Sequence, residues 1–523
     1  MGSGSARGNM AEVINKRRWI TPLLIVTAVV AISVAIIVLY HKTTGALSVH
    51  AVSDGAGGAI VAWQNNDGIR TQRISASGQP LWREGGLLVQ KIATEFNSRA
   101  FPGLTLFTLT ADGAGGAIVT WQDRSTYPGP LDGPPIDVYS QRISASGDLL
   151  WGDGVKTGKV DPISQDVVWV VPDGTGGAIF GWDDYKTALH DDFLRLQKVS
   201  PDGRLLWGDN GVLVTASSPF RGLTEEEKAR GMQGTASRSW PTYTGYQRVV
   251  SDGEQGAIVI WYEEDYPNRT YLVYARRVDA QGDFAWAKPI MLATTKDNPN
   301  FSGIYDGTGG SEGLVALAIP GAGGGGLTTF MCFDRDGKIL WQKSMPAGMN
   351  YSTDMVSDGL GGIIVSRYEY SPPFHAPREQ VISLYLQRLD SEGNAVWTER
   401  PVVTTQTGQS LATDMVADTT GGAMLVWRLG QTENDAYGKL FALGLNAEGN
   451  ASWGEGGLPI FPDAKLKYQG TPKIVIADPS GAIVVAALGR SALRGDMVYA
   501  QKLDTDGNRL WGNGIRIDQQ RAR

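Results

Sequence analysis

The side chains that could do chemistry are few and widely spaced in this chain. The four histidines, His41, His50, His190 and His375, show no metal-ligand spacing such as two histidines one helical turn apart. Asp and Glu pairs are plentiful and no single pair stands out, so glycoside hydrolysis by two carboxylates stays open. The sequence therefore identifies no catalytic residue and no metal ligand.

The single cysteine, Cys332, excludes an intrachain disulfide. One interpretation is a reactive thiol. The other, which the surrounding run Phe330-Met331-Cys332-Phe333 favours, is a small buried apolar side chain.

Two short acidic stretches, residues 334–337 and 504–507, resemble the start of a calcium-binding loop. An EF-hand loop also needs later oxygen ligands and a glutamate at its twelfth position. Because both stretches end in Asp-Gly, we interpret them as turns between strands.

The net charge of −7 is unevenly distributed. Residues 1–42 hold five of the 47 basic side chains and one of the 54 acidic ones, so 42 basic and 53 acidic residues remain in the rest. An acidic domain repels a phosphate backbone, and no basic stripe is present, which argues against a nucleic-acid partner.

An uncharged apolar segment runs from Ile20 to Tyr40, long enough to cross a hydrocarbon layer of roughly 30 Å. Three basic residues, 16–18, precede it, so the positive-inside rule places the N-terminus in the cytoplasm. We predict a cytoplasmic leader over 1–18 and a single transmembrane helix over 19–41. A cleaved signal peptide is the alternative, although its apolar region is normally shorter.

A glycine-rich turn followed by an apolar run recurs eight times after this segment. The turns begin at Asp54, Asp112, Asp173, Asp252, Asp306, Asp358, Asp418 and Asp478. A second signature follows each turn and reads Gln-Arg-Ile-Ser-Ala-Ser-Gly-x-x-Leu-Trp in its clearest form. It ends at Trp82, Trp151, Trp207, Trp286, Trp341, Trp397, Trp453 and Trp511.

Each repeat resolves into four strands joined by glycine turns, because Asp-Gly and Gly-Gly supply the positive φ of tight hairpins. The sequence thus predicts an all-β fold, an eight-bladed β-propeller of four-stranded antiparallel blades over 46–523, with an insertion at about 216–246. A solenoid or tandem sandwiches would share the period. Closure into a ring is favoured because neither end shows a polar capping repeat.

The second signature resembles the repeat of quinoprotein-type propellers, in which a glycine precedes a tryptophan by four residues, as Gly147 precedes Trp151. The resemblance implies that all eight closing tryptophans dock between neighbouring blades. Catalytic members of that group carry a vicinal cysteine pair beside their cofactor, and this chain has one cysteine. The resemblance therefore suggests the fold of a non-catalytic envelope member, without a cofactor.

Function concentrates on variable loops presented by a rigid scaffold. In a propeller, the second-to-third connections and the connections between blades share one face, and here they are long and varied. The predicted binding residues are the aromatic side chains on that face, Tyr127, Tyr185, Tyr266, Tyr368, Tyr370 and Phe374. The alternative is that these long loops pack on themselves.

We therefore expect an extracytoplasmic propeller, held in the membrane by one N-terminal helix, that binds or scaffolds a protein partner of the cell envelope, such as a membrane complex. The alternatives from a different class are an extracellular carbohydrate-active enzyme and a degenerate quinoprotein dehydrogenase.

Overall fold

The computed structural model describes most of the repeat region in separate ranges. They are 48–65, 67–91, 107–123, 137–157, 164–186, 191–215, 244–265, 270–296, 304–306, 315–319, 327–334, 336–346, 355–371, 381–406, 411–418, 420–430, 437–454, 456–462, 468–469, 471–478, 481–491 and 495–519. The chain divides into two compact units, Met1–Ala46 with Asn97–Leu104, and Leu47–Phe96 with Thr105–Arg523. All described strands belong to the second unit.

The second unit is all-β and is built from eight four-stranded antiparallel sheets. The strands of the first four sheets are β1 Val49–Ser53, β2 Ala59–Asn65, β3 Gly68–Ile74, β4 Leu87–Lys91, β5 Phe107–Ala111, β6 Ala117–Asp123, β7 Asp137–Ile143, β8 Val155–Lys156, β9 Ser164–Pro172, β10 Ala178–Lys186, β11 Asp191–Val199, β12 Val212–Leu213, β13 Thr244–Ser251, β14 Ala257–Asp265, β15 Thr270–Val278 and β16 Ile290–Thr295.

Those of the last four are β17 Ile304–Asp306, β18 Val315–Ile319, β19 Leu327–Phe333, β20 Ile339–Pro346, β21 Met355–Ser357, β22 Ile363–Ser371, β23 Val381–Leu389, β24 Arg400–Thr404, β25 Leu411–Ala417, β26 Ala423–Gly430, β27 Tyr437–Leu445, β28 Leu458–Pro459, β30 Lys473–Asp478, β31 Gly481–Ser491, β32 Gly495–Asp504 and β33 Ile515–Arg516. The extra strand β29, Tyr468–Gln469, pairs with both β27 and β31 and joins the last two sheets.

Each sheet is a simple meander of four consecutive strands, and the eight sheets are called blades 1 to 8 in chain order. The second strand is apolar throughout because neighbouring residues on it enter two different cores. In β2, Val61 and Trp63 pack with residues of blade 8, whereas Ile60 and Ala62 pack with residues of blade 2. Such two-sided burial gives the continuous apolar run seen in the sequence.

The described residues form eight buried clusters, and each of them combines side chains from two adjacent blades. Seven clusters join successive blades along the chain. The eighth joins Val498 and Ala500 of blade 8 to Val49 and Trp63 of blade 1. This arrangement, in which the last sheet packs on the first, is consistent with an eight-bladed propeller.

The two ends of the blades differ in how the chain turns. First-to-second connections are five residues long in six blades, as at residues 54–58 and 112–116. Second-to-third connections range from residues 66–67 in blade 1 to residues 124–136 in blade 2. We call the end with the uniform turns the turn face and the opposite end the loop face.

Several predicted loops begin later than expected because the strands are longer. Strand β22 continues to Ser371, so the loop expected from Tyr368 starts four residues further on. Similarly, β10 continues to Lys186, and β13 begins at Thr244, inside the end of the predicted insertion.

Among the described residues, no helix is both long and apolar enough to span a membrane. The predicted leader and transmembrane segment, residues 1–41, and residues 216–243 of the predicted insertion lie outside the described residues.

Candidate functional site

The six predicted binding residues do not form one described surface. Tyr127, Tyr266 and Phe374 lie outside the described residues. The backbones of Tyr185 and Tyr370 lie in β10 and β22, close to the loop face.

Tyr368 occupies a different place from the exposed loop expected for it. It lies in β22 with 7% of its surface exposed, and its hydroxyl contacts the Thr413 hydroxyl of blade 7. Its ring belongs to the apolar cluster between blades 6 and 7. Tyr368 therefore packs at a blade interface and presents little surface to a partner.

The closing tryptophans lie between blades. The indole N–H of Trp151 donates to the Pro201 carbonyl of blade 3 at 3.0 Å. Equivalent bonds of 2.8–3.2 Å are donated by Trp82, Trp207, Trp397, Trp453 and Trp511 to carbonyls of the next blade, the last reaching Ala76 of blade 1. Trp286 and Trp341 have their rings against Gly337 and Gly393, in blades 5 and 6.

The glycine of each third-to-fourth turn makes this docking sterically feasible. A Cβ on Gly147, which has a φ of 94°, would lie 2.8 Å from the ring of Trp82. Tryptophan and glycine thus recur together because each blade supplies the ring and its successor supplies the flat backbone on which the ring rests.

A second tie between blades uses buried charge, and the sequence analysis did not identify it. In blade 2, Asp112 Oδ1 accepts the backbone N–H groups of Ala114 and Gly116, both at 2.8 Å. Asp112 Oδ2 pairs with Arg142 at 2.9 Å, and the Arg142 Nη1 donates to the Pro201 carbonyl of blade 3 at 3.1 Å. The Asp112 side chain is only 1% exposed.

We call this set of turn aspartate, third-strand cation and next-blade carbonyl the interblade latch. It is present between blades 1 and 2, 2 and 3, 3 and 4, 6 and 7, and 8 and 1, with the cations Arg73, Arg142, Lys198, Arg388 and Lys502. The recurring Asp of the turn and the recurring Arg or Lys of the second signature were the signals that could have revealed it.

The glutamine beside the latch cation acts within its own blade. Gln141 Nε2 donates to the Gly152 carbonyl at 2.7 Å, and Gln141 Oε1 accepts the backbone N–H of Trp151 at 2.8 Å. The Gln-Arg pair therefore fixes the outer turn with one side chain and the neighbouring blade with the other. Together these contacts stabilise the turn face. The residues that recur most regularly, which are the turn aspartate, the Gln-Arg pair and the closing tryptophan, therefore hold the blades together.

A cluster of three polar side chains, Asp414, Lys473 and His50, lies on the first strands of blades 7, 8 and 1, which are called the inner strands. The carboxylate of Asp414 accepts the Ile474 backbone N–H at 2.8 Å and lies 3.4 Å from Lys473 Nζ. His50, on the inner strand of blade 1, contacts the Ser48 hydroxyl at 3.1 Å and the Phe107 ring edge-on. Burial and the Lys473 charge lower the pKa of His50 to about 4, so this imidazole is neutral near pH 7.

This cluster of polar side chains is suited to hydrogen bonding. The sequence feature that indicated it was a charged residue, Asp414, within the mostly apolar run of an inner strand. Lys473 begins its strand and His50 is second in its own, which places both near the loop face. Within the described ranges, no group of three or more His, Cys, Asp or Glu side chains is placed to hold a metal ion.

No protein-family model matches this chain, and no curated protein matches it either. Solved structures with a related course of the chain include a eukaryotic initiation factor, at 10% identity and a TM-score of 0.38, covering 88% of this chain and 96% of that one. Prolyl oligopeptidase B from Galerina marginata has 10% identity and a TM-score of 0.40, covering 79% of this chain and 51% of that one.

A protein of unknown function from Dyadobacter fermentans has 12% identity and a TM-score of 0.33, covering 66% of this chain and 96% of that one. Likenesses at this level carry no inference about activity, so the functional argument depends on the chain's own residues.

Proposed function

We propose that this protein is a membrane-anchored, extracytoplasmic propeller that acts as a protein-binding or scaffolding subunit of the cell envelope. The observation that carries the proposal is the contrast between the two ends of the blades. At one end, six of the eight first-to-second turns have the same length and buried latches join five pairs of neighbouring blades. At the other end, the connections between strands differ widely in length.

A rigid ring with variable connections on one face is suited to recognition, because binding then orders few additional side chains. The predicted aromatic residues Tyr127, Tyr185, Tyr266, Tyr370 and Phe374 come from the connections and strand ends of that face. Their acidic neighbours, such as Asp123 and Glu263, favour a partner with basic and apolar groups.

The proposal for localisation depends on the sequence of residues 16–40. A run without charge, preceded by Lys16, Arg17 and Arg18, has the composition of a single-pass anchor with its N-terminus in the cytoplasm. Protease added to intact cells should then remove the propeller and leave a membrane-embedded N-terminal fragment. A chain that resists protease until the cells are lysed would contradict this orientation.

The binding role is tested by shortening one connection of the loop face. Residues 124–136 of blade 2 are replaced by the two-residue connection of blade 1, and the full chain is purified from native membranes in mild detergent. We expect proteins that co-purify with the unmodified chain to be lost from this variant.

The matched control carries Leu81→Ala and Leu206→Ala, two side chains that are 49% and 47% exposed just after third-to-fourth turns. It should retain the same partners. Retention by the loop variant, or loss from the control alone, would place the contact surface elsewhere.

A further inference from the structure

Blade 5 departs from blades 1, 2, 3, 6 and 8 at the two residues that form the latch and the outer-turn contact. Cys332 lies opposite Ala316 in the register, which is the position that Arg73 has opposite Ile60 in blade 1. Its neighbour Met331 replaces the glutamine found at Gln72. A thiol cannot bridge the turn aspartate to the next blade, so the interface between blades 5 and 6 has no latch of this kind.

The docking tryptophan of blade 5 also lacks the indole hydrogen bond that six of its equivalents make to the next blade. Trp341 is 9% exposed, its ring lies against Gly393 of blade 6, and its buried indole N–H has no hydrogen-bond partner. A buried donor left unpaired weakens an interface, whereas a paired donor would stabilise it. The interface around Cys332 thus has neither the interblade latch nor the indole hydrogen bond to the next blade.

The interface between blades 7 and 8 shows how a missing latch can be replaced. Gly444 occupies the cation position there, yet Trp453 donates to the Thr505 carbonyl at 2.8 Å. Strand β29 also pairs with both blades, and the Asp414 carboxylate of blade 7 accepts the Ile474 N–H of blade 8. Loss of the latch alone therefore does not set blades 5 and 6 apart; the additional unpaired indole does.

We infer that the interface between blades 5 and 6 is where the ring opens first, uncovering the apolar cluster of Phe330, Cys332, Trp341, Met355 and Val365. Opening at this interface breaks apolar contacts but neither of the polar ties that recur elsewhere. The inference is independent of the proposed partner, because it depends only on contacts between blades.

Cys332 is a built-in reporter of this opening. It is the single cysteine of the chain and is 2% exposed. Burial, with a smaller effect from Asp334, raises the pKa of this thiol to about 12, so the closed ring protects it in two ways. Labelling by a thiol reagent then measures how often the interface opens.

The test measures N-ethylmaleimide labelling of the full chain in detergent, below the denaturant concentration at which it unfolds. Two control reporters are built in a Cys332→Ala background. Ala117→Cys reports on the latched interface of blades 1 and 2, and Ala477→Cys on that of blades 8 and 1. Each rate is divided by the rate of the same chain in full denaturant, to remove differences in intrinsic reactivity.

We expect Cys332 to label at least about tenfold faster than either control, since one lost hydrogen bond of ordinary strength corresponds to roughly that factor. If a control substitution destabilises the protein, its cysteine is labelled faster and its rate comes closer to that of Cys332, so this effect cannot produce the expected difference. Equal rates at all three positions, or labelling of Cys332 only at the rate of global unfolding, would overturn the inference.

Hydrogen exchange on the unmodified chain gives an independent measurement if a control variant fails to fold. Peptides covering Leu327–Phe333 and Ile363–Ser371 should exchange faster than those covering Ala59–Asn65 and Ala117–Asp123. The reverse order would equally reject an opening between blades 5 and 6.

Discussion

Arg142 and Asp112 form an ion pair from which solvent is nearly excluded. Their side chains are 13% and 1% exposed, and the arginine also binds a carbonyl of the next blade. Removing one member of a buried pair is costly because the other charge stays buried without compensation. The latch is therefore where single substitutions should act most strongly.

We expect Arg142→Met to lower the free energy of unfolding by about 3 kcal/mol, measured by urea denaturation at neutral pH. Arg204→Met is the matched control, because Arg204 pairs with Asp202 in a bridge whose members are 76% and 59% exposed. An exposed pair of this kind contributes less than about 1 kcal/mol. Similar losses in the two variants would contradict a stabilising role for the latch.

In two turns, the glycine three positions after the aspartate lies against the latch cation of the preceding blade. A Cβ on Gly176 would lie 2.8 Å from Arg142 Nη2, and one on Gly421 would collide with the Arg388 guanidinium. Gln255, with a φ of 67°, is the single described non-glycine residue with positive φ, and there the preceding cation is Lys198. The slimmer ammonium leaves space for a side chain that a guanidinium placed like that of Arg142 or Arg388 would exclude.

A double-mutant cycle tests this coupling between Lys198 and Gln255. We expect Gln255→Gly alone to stabilise the protein by up to about 1 kcal/mol, because it relieves a left-handed backbone. Lys198→Arg alone should destabilise it through the clash, and Gln255→Gly should rescue that loss, with a coupling of about 1 kcal/mol. Additive changes in the free energy of unfolding would rule out the steric explanation.

His50 should make stability depend on pH. Its pKa is about 4 in the folded protein, lowered first by burial and then by Lys473, against about 6.5 in an unfolded chain. The unfolded state thus binds more protons between these values. The stability that His50 contributes is present above pH 6.5 and is lost as the pH falls toward 4.

Between pH 7 and pH 5, the native chain should therefore lose about 2 kcal/mol more stability than a His50→Gln variant. Urea unfolding of both proteins at the two pH values measures this difference. Parallel pH dependence in the two proteins would show that His50 does not titrate in this way.

At the scale of strands and turns, the docking tryptophans provide an internal comparison. The Trp453 indole N–H bonds to Thr505, whereas that of Trp341 has no partner. Phenylalanine keeps an aromatic ring at either position and removes only the N–H and part of the ring volume. Trp453→Phe should therefore cost about 1 kcal/mol more than Trp341→Phe in thermal or urea unfolding.

Equal costs for these two substitutions would mean that ring volume alone determines docking. A larger cost at Trp341 would indicate that its indole is bonded in solution, which would also weaken the argument for opening between blades 5 and 6.

Elements with local signals were predictable from the sequence. The glycine-rich turn that begins with aspartate and the closing tryptophan each recur eight times, and both depend on neighbours within a few residues. The count of blades and the two-sided burial of strands such as Ala59–Asn65 are therefore confirmed. Contacts between blades were harder to predict from the sequence, because they join residues far apart along the chain. Arg73 and Ala145, for instance, are separated by 72 positions.

Strand ends explain why the candidate site was less predictable than the fold. The first breaker residues after Tyr368 are Pro372 and Pro373, and cross-strand pairing extends β22 up to them, so Tyr368 lies within the strand and reaches Thr413 of the next blade. Asp414 has a repeat equivalent in Asp354, within a Thr-Asp-Met-Val run that precedes both turns, yet the repeat could not reveal its role, because its partners Lys473 and Ile474 belong to another blade. Sequence periodicity identifies what the blades share, whereas a site depends on where they differ.

At the scale of the whole molecule, the described contacts that close the ring are all made by side chains. Every blade is a contiguous stretch of chain, and within the described ranges the four strands of blade 8 all come from residues 473–516. Blade 8 reaches blade 1 through Lys502 Nζ to the Gly57 carbonyl at 3.1 Å, Trp511 to Ala76, and the apolar cluster of these two blades. Blades 1 and 2 make equivalent contacts but are also linked covalently.

The two interfaces should therefore respond differently to the same pair of substitutions. Lys502→Met with Trp511→Phe leaves only the apolar cluster among the contacts described between blades 8 and 1, and no peptide link joins these two blades directly, so the ring should open and its radius of gyration should increase in small-angle scattering. Arg73→Met with Trp82→Phe should lower the melting temperature without expansion, because the connection from blade 1 to blade 2 keeps the effective concentration of the two blades high. Expansion in both variants would mean that the peptide link contributes nothing to holding neighbouring blades together. Expansion in neither would mean that the apolar cluster of blades 8 and 1 closes the ring without its polar ties.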